Sequence, residues 1–161
     1  MGVKISAAEL EAYHQAARTA VKAFPIEPED IIFITRSENV TFRVPVRDQD
    51  YDYVLRLHRP GYSTLEELNS ERAWTRALRS AGLPVPDALA SHSGDNYPLV
   101  DVAIGEAQRL YAGMTIWQEG IPLADYQDQF PQEGWSPALF RRLGELFARM
   151  SGRADCSSVP R

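Results

Sequence analysis

A lone arginine, Arg56, stands in the short apolar strand Tyr53-Val54-Leu55-Arg56-Leu57-His58, and a glutamate, Glu71, falls within the apolar pattern of the helix that follows. No other feature constrains the fold as tightly. Alternation along the strand sends Leu55 and Leu57 to one side and Val54, Arg56 and His58 to the other. The helix opens at Ser63-Thr64, with Glu67 placed to close a capping box on Thr64, runs to about Ser80, and is stopped by Gly82, Pro84 and Pro86. Three-and-four spacing puts Leu68, Glu71, Trp74 or Thr75, and Leu78 on one face. A carboxylate buried on such a face costs several kcal/mol unless a cation meets it. Arg56 is the expected cation, and a guanidinium held by a carboxylate turns its remaining donors towards a polyanion. A plain structural ion pair, or no pair at all, fits the same spacing.

The rest of the chain changes period twice. Ser6 and Glu9 form a capping box ahead of Leu10, Tyr13, Ala17, Val21 and Phe24, which predicts an amphipathic N-terminal helix ending at Pro25. His14 lies near its stripe without a second ligand at helical spacing and is read as structural or solvated. Beyond Pro28 the pattern alternates, with Ile31 to Thr35, Val40 to Val46 and Tyr53 to His58 as strands joined by the turns Ser37-Glu38-Asn39 and Asp48 to Asp52. The aspartates of the second turn fail as a calcium loop, because Tyr53 stands at the glycine position and Arg59 at the bidentate glutamate position. Asp87 to Ser91, Tyr97 to Ile104 and Arg109 to Trp117 read as further strands. Ile121 to Gly134 reads as a connection. Ser136-Pro137 starts a last helix with Leu139, Leu143, Leu146, Phe147 and Met150 on one side, ended by Gly152.

Composition removes several classes of function. Seventeen basic residues against 22 acidic give a net charge of −5 with no Lys/Arg stripe, so neither nucleic acid nor an anionic membrane is an expected partner. No apolar stretch approaches the roughly 18 residues of a membrane span. The single cysteine, Cys156, sits in a polar tail from Ser151 to Arg161 that reads as a disordered end, and it fits a reducing cytoplasm. No serine has the strand-elbow-helix context of a triad hydrolase. No set of ligands suggests a metal site.

The segments SENVTFRV (Ser37 to Val44), YVLRLHRPGYS (Tyr53 to Ser63), EELNSERAWTRAL (Glu66 to Leu78), GLPVP (Gly82 to Pro86) and WQEG (Trp117 to Gly120) resemble the aminoglycoside phosphotransferase and choline kinase-like family, over about residues 25 to 150. The resemblance implies an α+β fold, the N-lobe of a protein-kinase-like protein: an antiparallel sheet of about five strands with a packed helix, an N-terminal helix and a helix after the interlobe hinge. It implies a nucleotide-binding N-lobe over residues 1–120 and a post-hinge segment over 121–161. Arg56 would take the place of the strand lysine that contacts the α- and β-phosphates, and Glu71 would be its helix partner. Val54 would lie over the adenine, and Ser37 and Asn39 at the loop above the phosphates. Trp117, Gln118 and Glu119 would mark the hinge, which reads the base through its backbone. The implied cofactor is ATP, with Mg in the complete enzyme.

The same resemblance exposes a gap. The family's catalytic loop has the form His-x-Asp with an asparagine further on, yet none of His14, His58 and His92 is followed by aspartate two residues later. No catalytic residue is therefore assigned. The expectation is an ATP-binding half of a phosphotransferase, inert as residues 1–161, with the acceptor (aminoglycoside, choline, homoserine, another small alcohol or a protein hydroxyl) left open. The competing expectation is a stand-alone nucleotide- or protein-binding module, homodimeric through the last helix and the underside of the sheet.

Overall fold

Alternating burial in the strands builds a sheet with one sealed face. The structure, a computed structural model, describes residues 5–47, 49–131 and 136–151. Six antiparallel strands form the sheet: β1 (Ile32–Arg36), β2 (Asn39–Val44), β3 (Tyr53–His58), β4 (Ala88–Leu89), β5 (Leu99–Ile104) and β6 (Glu106–Ile116), in the order β1-β2-β3-β6-β4, with β5 also on β6. About five strands were expected. The extra strand arises because the edge beside β6 is split in two. Tyr111 of β6 pairs with His58 of β3 on one side and with Leu99 of β5 on the other, and Met114 pairs with Leu89 of β4. β4 and β5 therefore lie in line along the β6 edge away from β3, interrupted by residues 90–98. β6 begins at Glu106, earlier than its apolar run suggests, and closes a hairpin with β5 around Gly105.

Helix α1 (Ala7–Val21) seals one face. Its capping box forms as the sequence requires, with Ser6 N–H donating to the Glu9 carboxylate at 3.0 Å and Glu9 N–H to Ser6 Oγ at 3.2 Å. Tyr13, Ala16, Ala17, Ala20 and Val21 turn inward, and the three alanines let the helix come close to the sheet. They meet Val40, Phe42 and Val44 of β2, Leu55 and Leu57 of β3, Val100 and Val102 of β5, and Leu110, Ala112 and Met114 of β6 in one cluster. Each large side chain buried there contributes roughly 1.5–3 kcal/mol.

The described residues divide into two compact units, one drawn from Met1–Trp74 and Pro86–Trp117, the other from Thr75–Val85 and Gln118–Arg161. Helix α2 (Leu65–Ser80) contributes its first ten residues to the first unit and its last six to the second. Its start carries the predicted box, Thr64 N–H donating to the Glu67 carboxylate at 2.7 Å. At its end Gly82 takes φ +78°, Gly82 N–H donates to Arg79 O and Leu83 N–H to Leu78 O, a Schellman closure with Leu78 and Leu83 both buried.

In the second unit α3 (Leu123–Gln129) and α4 (Pro137–Ser151) follow. The stretch from Ile121 was expected to be plain connection; a seven-residue helix is too short to reveal a period. Ser136 Oγ accepts from Leu139 N–H at 3.2 Å and starts α4, and Arg149 Nη2 donates to Gly82 O at 2.9 Å. Leu139, Leu143, Leu146 and Met150 are half-buried as a stripe. Phe147, placed with them by sequence, is 63% exposed because it lies one position off that row. Asp48, Gly134, Gly152 and the polar tail with Cys156 lie outside the described residues. Among those described, no helix is long and apolar enough to cross a membrane.

The sealed face makes a direct prediction for stability. Leu55→Ala, at 0% exposure in the middle of β3, lowers unfolding free energy by about 2–5 kcal/mol. Ile34→Ala, 43% exposed on edge strand β1, changes it by less than about 1 kcal/mol. Urea unfolding of the two variants checks the contrast, and equal losses would contradict this packing.

Candidate functional site

The face of the sheet away from α1 is polar and open. In register across it, Thr41 and Gly113 flank Arg56, and Arg43 and Thr115 flank Val54. Val54, Thr41, Arg43 and Thr115 are half-exposed, and Arg56 is exposed. The Arg56 side chain enters no ion pair or hydrogen bond among the described residues. Its guanidinium donors stand two positions from the half-buried Val54, an arrangement that suits a ligand with an anionic end and an apolar end.

Glu71 stands on α2 but not where three-and-four spacing put it. It is exposed, and the buried charged residue of the helix is Arg72, at 7% exposure. The inward row is the buried Leu68, Arg72 and Leu78 with the half-buried Thr75, another solution of the same spacing that rotates Glu71 outward. The argument that a buried glutamate demands a cation therefore does not apply. Among the ion pairs of the described residues none joins Arg56 to Glu71. The two residues share a neighbour instead: the Tyr97 phenol is raised first by burial, and the charges of Arg72, Glu71 and Arg56 all act on it.

The β1–β2 hairpin carries Ser37 and Asn39 at its tip. Ser37 N–H donates to Asn39 O at 2.9 Å, and Arg59, just past β3, reaches back to donate to Ser37 O at 2.7 Å. The tip is thus clasped to the end of the strand that bears Arg56. Asn39 begins β2 opposite His58. Trp117 follows β6, and its N–H already donates to Asp52 O at 2.9 Å, while its ring lies 4.6 Å from the Arg43 guanidinium. Arg43 is ion-paired to Asp52. Gln118 and Glu119 begin the second unit.

Sequence reasoning missed Thr41, Arg43 and Tyr97. The first two were legible as the outward residues between Val40, Phe42 and Val44. Tyr97 carried no local signal, since its position depends on β6 and α2. A cavity of about 610 Å³ lies elsewhere, in the second unit, lined by Ile121, Leu123, Tyr126, Leu139 and Arg142 among others. It holds none of the expected site residues. Among the described residues no group of three or more His, Cys, Asp or Glu is placed to hold a metal ion.

The six-stranded antiparallel sheet with its helices matches the N-lobe fold of kinase-like proteins. The chain belongs to the phosphotransferase enzyme family, whose sequence model matches residues 31–157. It is similar in fold to an amicoumacin kinase solved in complex with AMP-PNP, Ca2+ and Ami (18% identity, TM-score 0.69, 97% of this chain and 45% of that one). It is also similar to a microcompartment-associated aminopropanol kinase (24% identity, TM-score 0.57, 71% of this chain and 37% of that one). The chain thus spans less than half the length of either. No curated protein matches the chain significantly.

His58, on the same face as Arg56 and 8% exposed, gives the site a pH signature. Burial, and then the Arg56 charge, push its pKa from 6.5 down to about 4. The folded chain keeps the ring neutral while the unfolded chain takes up the proton, so stability is lost as pH falls through the range between those values. The expected loss from this group is about 2 kcal/mol between about pH 7.5 and about pH 5. Denaturant titrations of wild type and His58→Gln at both pH values measure it: the variant's stability changes less by that amount. Identical pH dependence in the two proteins would contradict the assignment.

Proposed function

We propose that this chain is the nucleotide-holding part of a kinase-type phosphotransferase, in which ATP lies on the open face of the sheet. The observation that carries the reading is Arg56: an exposed guanidinium without a carboxylate partner among the described residues, two positions beyond the half-buried Val54 on one face. Arg56 holds phosphate oxygens through its forked donors, as a guanidinium does best. Val54 supplies the apolar surface for the base, and the Ser37–Asn39 tip, clasped by Arg59, stands on the phosphate side. Glu71 is the acidic group of α2 that orients Arg56 when nucleotide is bound. Trp117, with its amide engaged by Asp52, acts through its ring as the platform for Arg43, and the backbone at Gln118 and Glu119 is the hinge of the complete protein. Bound ATP, with Mg, would supply the transferable phosphoryl group for a hydroxyl or amine acceptor. The family membership and the kinase folds it is similar to support that reaction class.

The residues of this chain contribute binding and orientation rather than chemistry. No histidine is followed two residues later by aspartate, so no base of the kinase type is supplied to accept the acceptor's proton.

Two experiments test the reading. At a Mg-ATP concentration about ten times Kd the wild-type chain gains about 1.4 kcal/mol, a few degrees of Tm, and Arg56→Ala loses most of that gain. Equal shifts in the two proteins would remove Arg56 from the site. Radiolabelled ATP incubated with pure residues 1–161 and a panel of small hydroxyl and amine acceptors transfers no label; turnover above a blank would overturn the non-catalytic assignment.

A further inference from the structure

Strands β4 and β5 are interrupted by residues 90–98, and the end of that excursion crosses the open face. Tyr97 lays its ring against Gly113 of β6. A Cβ built on Gly113 would stand 2.7 Å from Tyr97 Cε1 and 3.1 Å from His58 Nε2, so only glycine permits this approach. The ring packs edge-on to His58, with centroids 5.6 Å apart. Its hydroxyl donates to Leu68 O of α2 at 3.1 Å, and the Arg72 guanidinium lies 5.9 Å from the ring centroid. The preceding residue repeats the connection, Asn96 Nδ2 donating to Asn69 Oδ1 at 3.0 Å. Gly113 is the cross-strand partner of Arg56. One aromatic side chain therefore spans from the strand position beside Arg56 to the helix turn beside Glu71.

We propose that Tyr97, seated on Gly113, is the positioning residue that fixes α2 over the sheet and so sets where Glu71 stands relative to Arg56. The inference rests on the nucleotide reading above and deepens it. Only Leu68 and Arg72 are buried among the α2 residues of the first unit, so the helix has little other apolar anchorage there. The Tyr97 hydroxyl holds the carbonyl of the first and its ring meets the charge of the second. The convergence of Arg72, Glu71 and Arg56 on the phenol places all three charges within electrostatic reach of it. Tyr97 acts on the phosphate end of the ligand through those groups and does not touch the base strip at Val54.

The test is calorimetric titration of Mg-ATP and of adenosine into wild type, Tyr97→Phe, Glu71→Gln and the double variant. Tyr97→Phe keeps the ring and the fold but removes one hydrogen bond, so ATP binding weakens roughly two- to tenfold while adenosine binding is unchanged. In the Glu71→Gln background the same substitution produces no further loss. Gly113→Ala, which drives the ring from its seat, reproduces the ATP-selective loss. Equal losses for ATP and adenosine reduce Tyr97 to general scaffolding and overturn the proposal, as does full additivity in the double variant. Wild-type binding that depends on Arg56 but is untouched in Tyr97→Phe overturns this inference alone. A wild-type chain that binds neither ligand overturns the nucleotide reading and this inference with it.

Discussion

Burial of one sheet face beneath α1 is the constraint from which the rest follows. Because side chains alternate along a strand, fixing Leu55, Leu57, Phe42, Leu110, Ala112 and Met114 against Tyr13, Ala17 and Val21 also fixes every neighbour on the other side. Thr41, Arg43, Val54, Arg56, His58, Gly113 and Thr115 have no choice of face. A slip of one residue would bury Arg56 and expose Leu55, at a cost in apolar burial and charge desolvation that no local contact offsets. The polar face is thus a by-product of core formation, and its chemistry is set by whichever residues the alternation leaves there.

That dependence explains what the sequence made legible. The strand alternation at Val40 to Val44 and Tyr53 to His58, and the two capping boxes at Ser6 and Thr64, are determined by neighbours a few residues away, and the structure contains them all. Arg56 was readable for the same reason. Glu71 was not, because a helical row of three-and-four spacing has two solutions, and choosing between Leu68-Glu71-Trp74 and Leu68-Arg72-Thr75 depends on what covers the helix. The long aliphatic stem and planar head of Arg72 let it be buried against the Tyr97 ring, which a residue-type rule that ranks charge as exposed does not anticipate. Tyr97 itself and the split of β4 from β5 required the tertiary pairing of β6.

Three arginines of this region differ in what engages them. Arg43 on the same face is engaged by Asp52 and stacked on Trp117, and Arg59 is engaged by Ser37 O and the Tyr62 ring at 5.1 Å. Arg56 between them has no such engagement among the described residues. Its neighbours are a glycine, a threonine and a histidine held neutral by burial, and that neutrality spares it a second positive charge two residues away.

The interruption at residues 90–98 gives the lobe a tolerance that an unbroken strand would lack. Pairing of Ala88 with Thr115 and of Leu99 with Tyr111 is fixed independently on either side of the gap, so the turn at Ser93-Gly94-Asp95 can lengthen or shorten without re-threading the edge. Variation in that turn would leave the hydrophobic interior unaltered yet alter the leverage with which the excursion bears on the helix through Asn96 and Tyr97.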